Sequence, residues 1–486
     1  MKSIIVCSFL LLIASYAISQ EYMFSDKIDL KGSPHVKRTS LPIVYEDKVT
    51  LFLIDKKNIH CLQFHDDFKL LNTYTAVGPS KKHELLLGYS VNSLSGYHLL
   101  FSDKKKKEFY TKSLSIDRKE EREKEITILS KNERFLEAIN HNDSLYIFAV
   151  EKFSSILNLY ILNGDKILKT KKFDLSEFEF EQSNYPELFD VVYTPSRMLK
   201  IQKIEYDNPS TLSLTAEKSK MYLIDGTVYL TFDNEISNTK MVTINLKSLS
   251  ANVEFHEQKK ISSTDTLGIK SNSYLHKGFL LQIIGNQNKC AFQIRNVMNG
   301  QLIKEFEIKE SEQIQFKNTA LTQEGTQFSS SAKKELQSTS QFLKKITKGN
   351  IAVSVDFIDN NYVVTIGGIE NFSGGGGVMM STPGASVATP GGSVSMATIH
   401  HYQPTMHTYN SYKSSRSVYF KTILDSSDFK HVKGVVQANS FDKINDFEKL
   451  IQRNNINTKT IFKIKSDYLF GYYNEYEKKY FIVRFK

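Results

Sequence analysis

Val49-Thr50-Leu51-Phe52-Leu53-Ile54, with Asp55 directly behind it, is the stretch on which the fold turns. Six residues of β-branched, aromatic and aliphatic character, closed by a turn former, read as a strand. The same pattern recurs at Tyr97–Phe101, Leu145–Val150, Val228–Phe232, Phe279–Ile284, Tyr362–Ile366 and Tyr468–Tyr473. A second strand with more alternation follows nearly every one, as in His60–Phe64, Leu157–Leu162, Met241–Leu246 and Ala291–Val297. A third, more polar strand often comes next, as in Phe68–Thr75, Ile167–Phe173 and Leu302–Ile308.

The regular intervals match the roughly 40–50 residues of a propeller blade. The longer intervals contain three insertions, Glu177–Glu217, Ser311–Thr347 and Phe372–Ser415. Removing them brings those intervals back towards the same length, the last stretched by a predicted helix. The pattern therefore predicts an all-β chain: a β-propeller of seven four-stranded antiparallel blades with short helical insertions. The final unit runs out of chain soon after Tyr480–Phe485, and spare strand-like sequence stands at Met23–Lys31. An N-terminal strand completing the last blade would remove an open edge. Residues 20–486 are expected to form one propeller domain, and two β-sandwiches joined near residues 311–347 are the competing arrangement.

Helical periodicity covers Lys333–Ile346, with Gly349 as stop, and Phe441–Arg453, with Ser440 as the N-cap candidate. At the N-terminus, Lys2 precedes an apolar run from Ile4 to Ile13, and Ala17-Ile18-Ser19 has the form of a cleavage site. Residues 1–19 read as a signal peptide, with the mature chain beginning at Gln20. No later stretch is long and apolar enough for a membrane helix. The protein is expected to be exported: periplasmic, cell-surface or secreted.

Composition narrows function mostly by exclusion. The formal net charge is +10, but Lys and Arg are scattered among acidic residues, which argues against nucleic acid as a partner. There is no tryptophan, so the Trp-Asp signature of one propeller class is absent. No phosphate loop, His-Glu-x-x-His, G-x-S-x-G elbow or EF-hand spacing occurs, and no catalytic residue is assigned. After Cys7, only Cys61 and Cys290 remain, in units too far apart to be neighbours in a seven-membered ring, so both are expected as free thiols.

One cluster carries possible ligand chemistry. Met379, Met380, Met396, His400, His401, Met406 and His407 fall in a stretch that also holds the Gly374–Gly377 run and two Thr-Pro-Gly turns. Thioether and imidazole groups suit a soft metal ion such as Cu(I); the plainer reading is a loop between two strands that binds no cofactor. The functional expectation is an exported rigid scaffold binding an envelope or extracellular protein or polymer. The alternative is an extracytoplasmic hydrolase or lyase with its site at the channel mouth. By strand polarity the three insertions should leave the same end of their blades, where long loops on a rigid frame build a binding face.

Overall fold

The computed structural model describes residues 20–32, 38–92, 96–181, 186–193, 199–261, 268–325, 333–369, 403–413 and 417–485. Strand accounts for 56% of the chain and helix for 11%, which settles the all-β class. The strands form seven separate sheets, four of them plain runs of four sequential antiparallel strands, the blades of a β-propeller. Within a blade they are lettered a to d in chain order. The chain divides into two compact units.

The first unit holds the first, second and last blades. The first blade is Thr39–Tyr45, Lys48–Ile54, Asn58–His65 and Leu70–Val77. The second is Leu85–Asn92, Gly96–Ser102, Phe109–Ser115 and Glu120–Ile126. The last takes Ile456–Ile464, Asp467–Asn474 and Lys479–Phe485 from the C-terminus, and its fourth strand, Gln20–Lys27, from the N-terminus. Gln20 pairs with Phe485 and Lys27 with Lys479. The expected completing strand thus exists, starting and ending slightly earlier than Met23–Lys31.

Packing explains why the opening stretch reads as one apolar run. Phe52 and Ile54 pack with Leu99 and Phe101 of the second blade. Val49, Leu51 and Leu53 pack with Leu469 and Ile482 of the last. Alternate residues point to opposite faces of a strand, and here both faces meet a neighbouring sheet, so every position is apolar or bonded. The exception, Thr50, has its hydroxyl 2.6 Å from that of Tyr97. The Arg38 guanidinium pairs with the buried Glu475 carboxylate, donates to the Leu30 carbonyl at 2.8 Å and lies 5.4 Å from the Tyr473 ring centroid. It ties the last blade to the segment that leads into the first.

The second unit holds four blades. The third is Glu133–His141, Ser144–Glu151, Ile156–Asn163 and Lys166–Asp174. The fourth is Ser219–Ile224, Thr227–Phe232, Asn238–Asn245 and Ser250–Glu257, and the fifth Lys270–His276, Phe279–Gly285, Lys289–Asn296 and Leu302–Lys309. The sixth takes strands a to c from Asn350–Ile358, Asn361–Ile369 and Ser417–Asp425.

Two blades depart from the expected four consecutive strands. The fourth gains Gln202–Ile204, which runs parallel to strand a and makes a fifth strand at that edge of the sheet. In the sixth, the d position is filled by Thr322–Glu324, with Lys333–Glu335 beyond it, both drawn from the insertion that precedes the blade. Because Lys333–Glu335 is strand, the helix there begins later than Lys333. It is Thr339–Lys348, capped by the Ser338 hydroxyl and burying Phe342, Leu343 and Ile346. In the first unit, the helix Ser440–Ile451 is capped by Asn439 and not by Ser440, in a reciprocal capping box with Asp442. Its Phe447 makes edge contacts with Tyr22, Phe470 and Phe485.

Candidate functional site

Two of the three insertions meet in the second unit. Residues 177–217 first form a short helix, α1 (Leu188–Val192), buried through Leu188, Phe189, Val191 and Val192 against the third and fourth blades. The chain then adds Gln202–Ile204 to the fourth blade and closes with α2 (Leu212–Thr215), capped by Thr211. The described end of the 372–415 insertion is also helical, Pro404–Lys413. Its Ser411 hydroxyl lies 3.0 Å from that of Thr211 and 2.6 Å from that of Ser213. Where described, both insertions are partly helical, and the first also adds a strand to the edge of the fourth blade.

A second feature emerges from a repeated position. In five blades the b strand ends on, or is followed by, Asp or Asn, and in four of these the side chain caps the b–c turn. Asp55 accepts from the Lys57 and Asn58 amides at 2.7 and 2.8 Å, and Asp103 from those of Lys107 and Glu108 at 2.7 and 2.9 Å. Asn286 accepts from Asn288 and Lys289 at 3.0 Å each, and Asn474 from Tyr476 and Glu477 at 3.0 and 3.2 Å. These are Asx turns.

Asp233 occupies the same position and does something else. Its Oδ1 accepts from the Thr239 hydroxyl at 2.7 Å. Its Oδ2 accepts from Lys220 Nζ at 2.9 Å and from the Ser273 amide and hydroxyl at 3.0 and 2.8 Å. Lys220 in turn donates to the Glu217 carbonyl at 2.6 Å and to Asn272 Oδ1 at 2.7 Å. Asn272 spends its amide protons on the carbonyls of Ala216 and Ile351, at 2.9 and 3.0 Å. The three ammonium protons thus have three acceptors, and Asp233 has four donors.

Burial works against the Asp233 charge, but Lys220, Lys218 and the hydroxyl donors outweigh it and hold the carboxyl below its ordinary pKa. A saturated pair of this kind fixes geometry and has no free site for proton transfer. It joins the fourth, fifth and sixth blades to the end of the 177–217 insertion. Lys218 sits beside it, partly buried, with its ammonium on the Ser271 carbonyl. Sequence reading passed over this cluster. Its only signal was a lysine inside the apolar run Ser219–Ile224 and an aspartate at a repeat position that elsewhere makes a turn.

Of the residues expected to bind a soft metal, Met379, Met380, Met396, His400 and His401 lie outside the described residues. Met406 and His407 are adjacent on the helix Pro404–Lys413, with Met406 buried. Neighbours in a helix project about 100° apart, so the two do not share one metal position readily. Among the described residues, no three His, Cys, Asp or Glu side chains converge as a metal site, and no helix is long and apolar enough to cross a membrane. Cys61 and Cys290 are both buried and free, as expected.

No known family matches the sequence, and no curated protein does. Solved structures do. An oligogalacturonate lyase in complex with manganese aligns with a TM-score of 0.35 and 6% identity, over 96% of this chain and 97% of that one. The Dos1 propeller aligns with a TM-score of 0.30 and 8% identity, over 96% and 95%. A prolyl endopeptidase aligns with a TM-score of 0.32 and 7% identity, over 90% of this chain but 46% of its own. Likeness at this level ties the chain to none of them in substrate or chemistry.

Proposed function

We propose that the protein is an exported β-propeller acting as a rigid binding scaffold for an envelope or extracellular protein or polymer. The observation that carries this reading is the junction of Thr211 and Ser213 with Ser411, where two long insertions brace one another on the blades of the second unit. Insertions held this way present a surface whose shape is fixed before the partner arrives, which lowers the ordering cost of binding. The saturated Lys220–Asp233 cluster supports a structural role for the charged residues beneath it. Export rests on the pattern of residues 1–19.

The test is cross-linking mass spectrometry in intact envelopes, with the full-length chain and a variant lacking residues 373–395. A partner cross-linked through Lys200, Lys203, Lys333 or Lys334 is expected. Its yield should fall in the deletion while Tm moves by less than about 2 °C, since a Gly-, Ser- and Pro-rich composition offers little apolar surface to a core. Cross-links confined to residues outside the three insertions, or a yield unchanged by the deletion, would overturn the reading. N-terminal sequencing of the exported form should begin at Gln20.

A further inference from the structure

Three asparagines of the chain stand two residues before a serine: Asn142-Asp143-Ser144, Asn208-Pro209-Ser210 and Asn371-Phe372-Ser373. Asn-x-Ser is the acceptor triplet for N-linked glycosylation, provided that x is not proline. Proline disqualifies the second triplet, whose Asn208 and Ser210 are also buried. The third lies outside the described residues. The first is described in full, at a part of the third blade that neither the buried cluster nor the braced insertions use.

Asn142 and Asp143 form the two-residue turn between strands a and b of that blade, flanked by the paired His141 and Ser144. Asn142 has a φ of 51°, a left-handed conformation that asparagine tolerates better than most residues. The turn by itself therefore accounts for the asparagine, but not for the serine. Both turn residues are exposed. The turn is also braced. The Asp143 carbonyl accepts from Asn163 Nδ2, at the end of strand c, at 3.3 Å. On the other side, His141 stands so near Gly226 of the fourth blade that a Cβ there would lie 3.1 Å from its Nε2. The two groups that the triplet chemistry needs, Asn142 Nδ2 and the Ser144 hydroxyl, take part in no hydrogen bond among the described residues. The acceptor is thus held outward on a fixed turn, with its amide uncommitted.

We propose that Asn142 of the exported protein carries an N-linked glycan. The donor is an oligosaccharide linked to a lipid through a diphosphate. Asn142 Nδ2 attacks the anomeric carbon, and the N–C bond forms as the C–O bond to the diphosphate breaks. One amide proton passes to the transferase, and the lipid diphosphate leaves. Strand polarity fixes where the sugar sits. In an antiparallel blade the a–b and c–d turns share one end, while strand d, Lys166–Asp174, delivers the chain to the 177–217 insertion at the other. The glycan therefore covers the end of the third blade away from that insertion, and adds a bulky, solubilising group there without obstructing the insertion. The proposal rests on export and is independent of the scaffold reading.

The experiment is intact-glycopeptide mass spectrometry of the protein recovered from its native envelope or medium, beside Ser144→Ala and Ser144→Thr variants made in the same cells. The peptide holding Asn142 should carry a glycan, and the one holding Asn208 none. Occupancy should be lost in Ser144→Ala, although Asn142 is untouched, and kept in Ser144→Thr, which retains the hydroxyl. The wild-type spectrum decides alone where a variant fails to fold. An exported chain beginning at Gln20 with Asn142 unmodified would overturn the glycan and leave export standing. A chain that keeps residues 1–19 and bears no glycan would overturn both. A glycan that persists in Ser144→Ala would overturn the triplet as its cause.

Discussion

Lys220 Nζ lies 2.9 Å from Asp233 Oδ2 with both side chains wholly buried, and each group spends its full hydrogen-bonding capacity inside the protein. Removing one partner leaves the other charge buried and uncompensated. Lys220→Met should therefore cost about 3–5 kcal/mol in the stability of the second unit. The double variant Lys220→Met with Asp233→Leu should lose clearly less than the sum of the singles. Urea unfolding of the three variants measures this, and strict additivity would show that the pair is not coupled.

His276 supplies a pH dependence with a defined sign. It is 3% exposed, stacked on Tyr274 and edge-on to Tyr362. Burial first, and then Lys277, pull its pKa from 6.5 to about 4, against weaker pulls from the Tyr206 carbonyl and Asp207. The folded value is the lower one, so the stabilising contribution is fully present above pH 6.5 and fades as pH falls towards 4. The shift corresponds to about 3 kcal/mol. His256 and His431 are shifted the same way, so the informative quantity is the difference between wild type and His276→Phe. That difference should shrink steadily below pH 6.5; a constant offset across the range would remove His276 as the source.

The N-terminal strand makes a third prediction. Gln20–Lys27 is the outer strand of the last blade, and Tyr22 sits edge-on to Phe447 and Phe481. Deleting residues 20–27 uncovers the edge of Lys479–Phe485, and uncovered edges pair between molecules. Sedimentation velocity should show concentration-dependent association of the deletion variant. A deletion variant that stays monomeric with an unchanged Tm would mean that the strand is dispensable.

The thiols make a fourth. Burial raises the Cys61 pKa far above its ordinary value and pushes Cys290 up to about 12. A buried, protonated thiol is a poor nucleophile. A chain starting at Gln20 should give no prompt reaction with a disulfide reagent when native and two thiols in denaturant without reductant. A titre of zero after unfolding would place the two sulfurs in a disulfide.

By itself the sequence determined the all-β class, the b strands, the turn-forming Asx positions and the free cysteines. Those features depend on residues close in the chain: a run such as Val49–Ile54 is apolar throughout because neighbouring sheets cover both its faces. Tertiary structure decided the rest. Gln202–Ile204 and Thr322–Glu324 are too short to carry a strand signal and become strands only because an existing blade offers a free edge. Lys333–Glu335 was drawn out of the predicted helix by the same pairing. Asp233 reads in the sequence as one more turn cap. It became the centre of a buried network because Lys220 and Ser273, distant in the chain, stand beside it in space and outbid the local amides. A periodic pattern records which faces are covered; it does not record which charged groups meet beneath them.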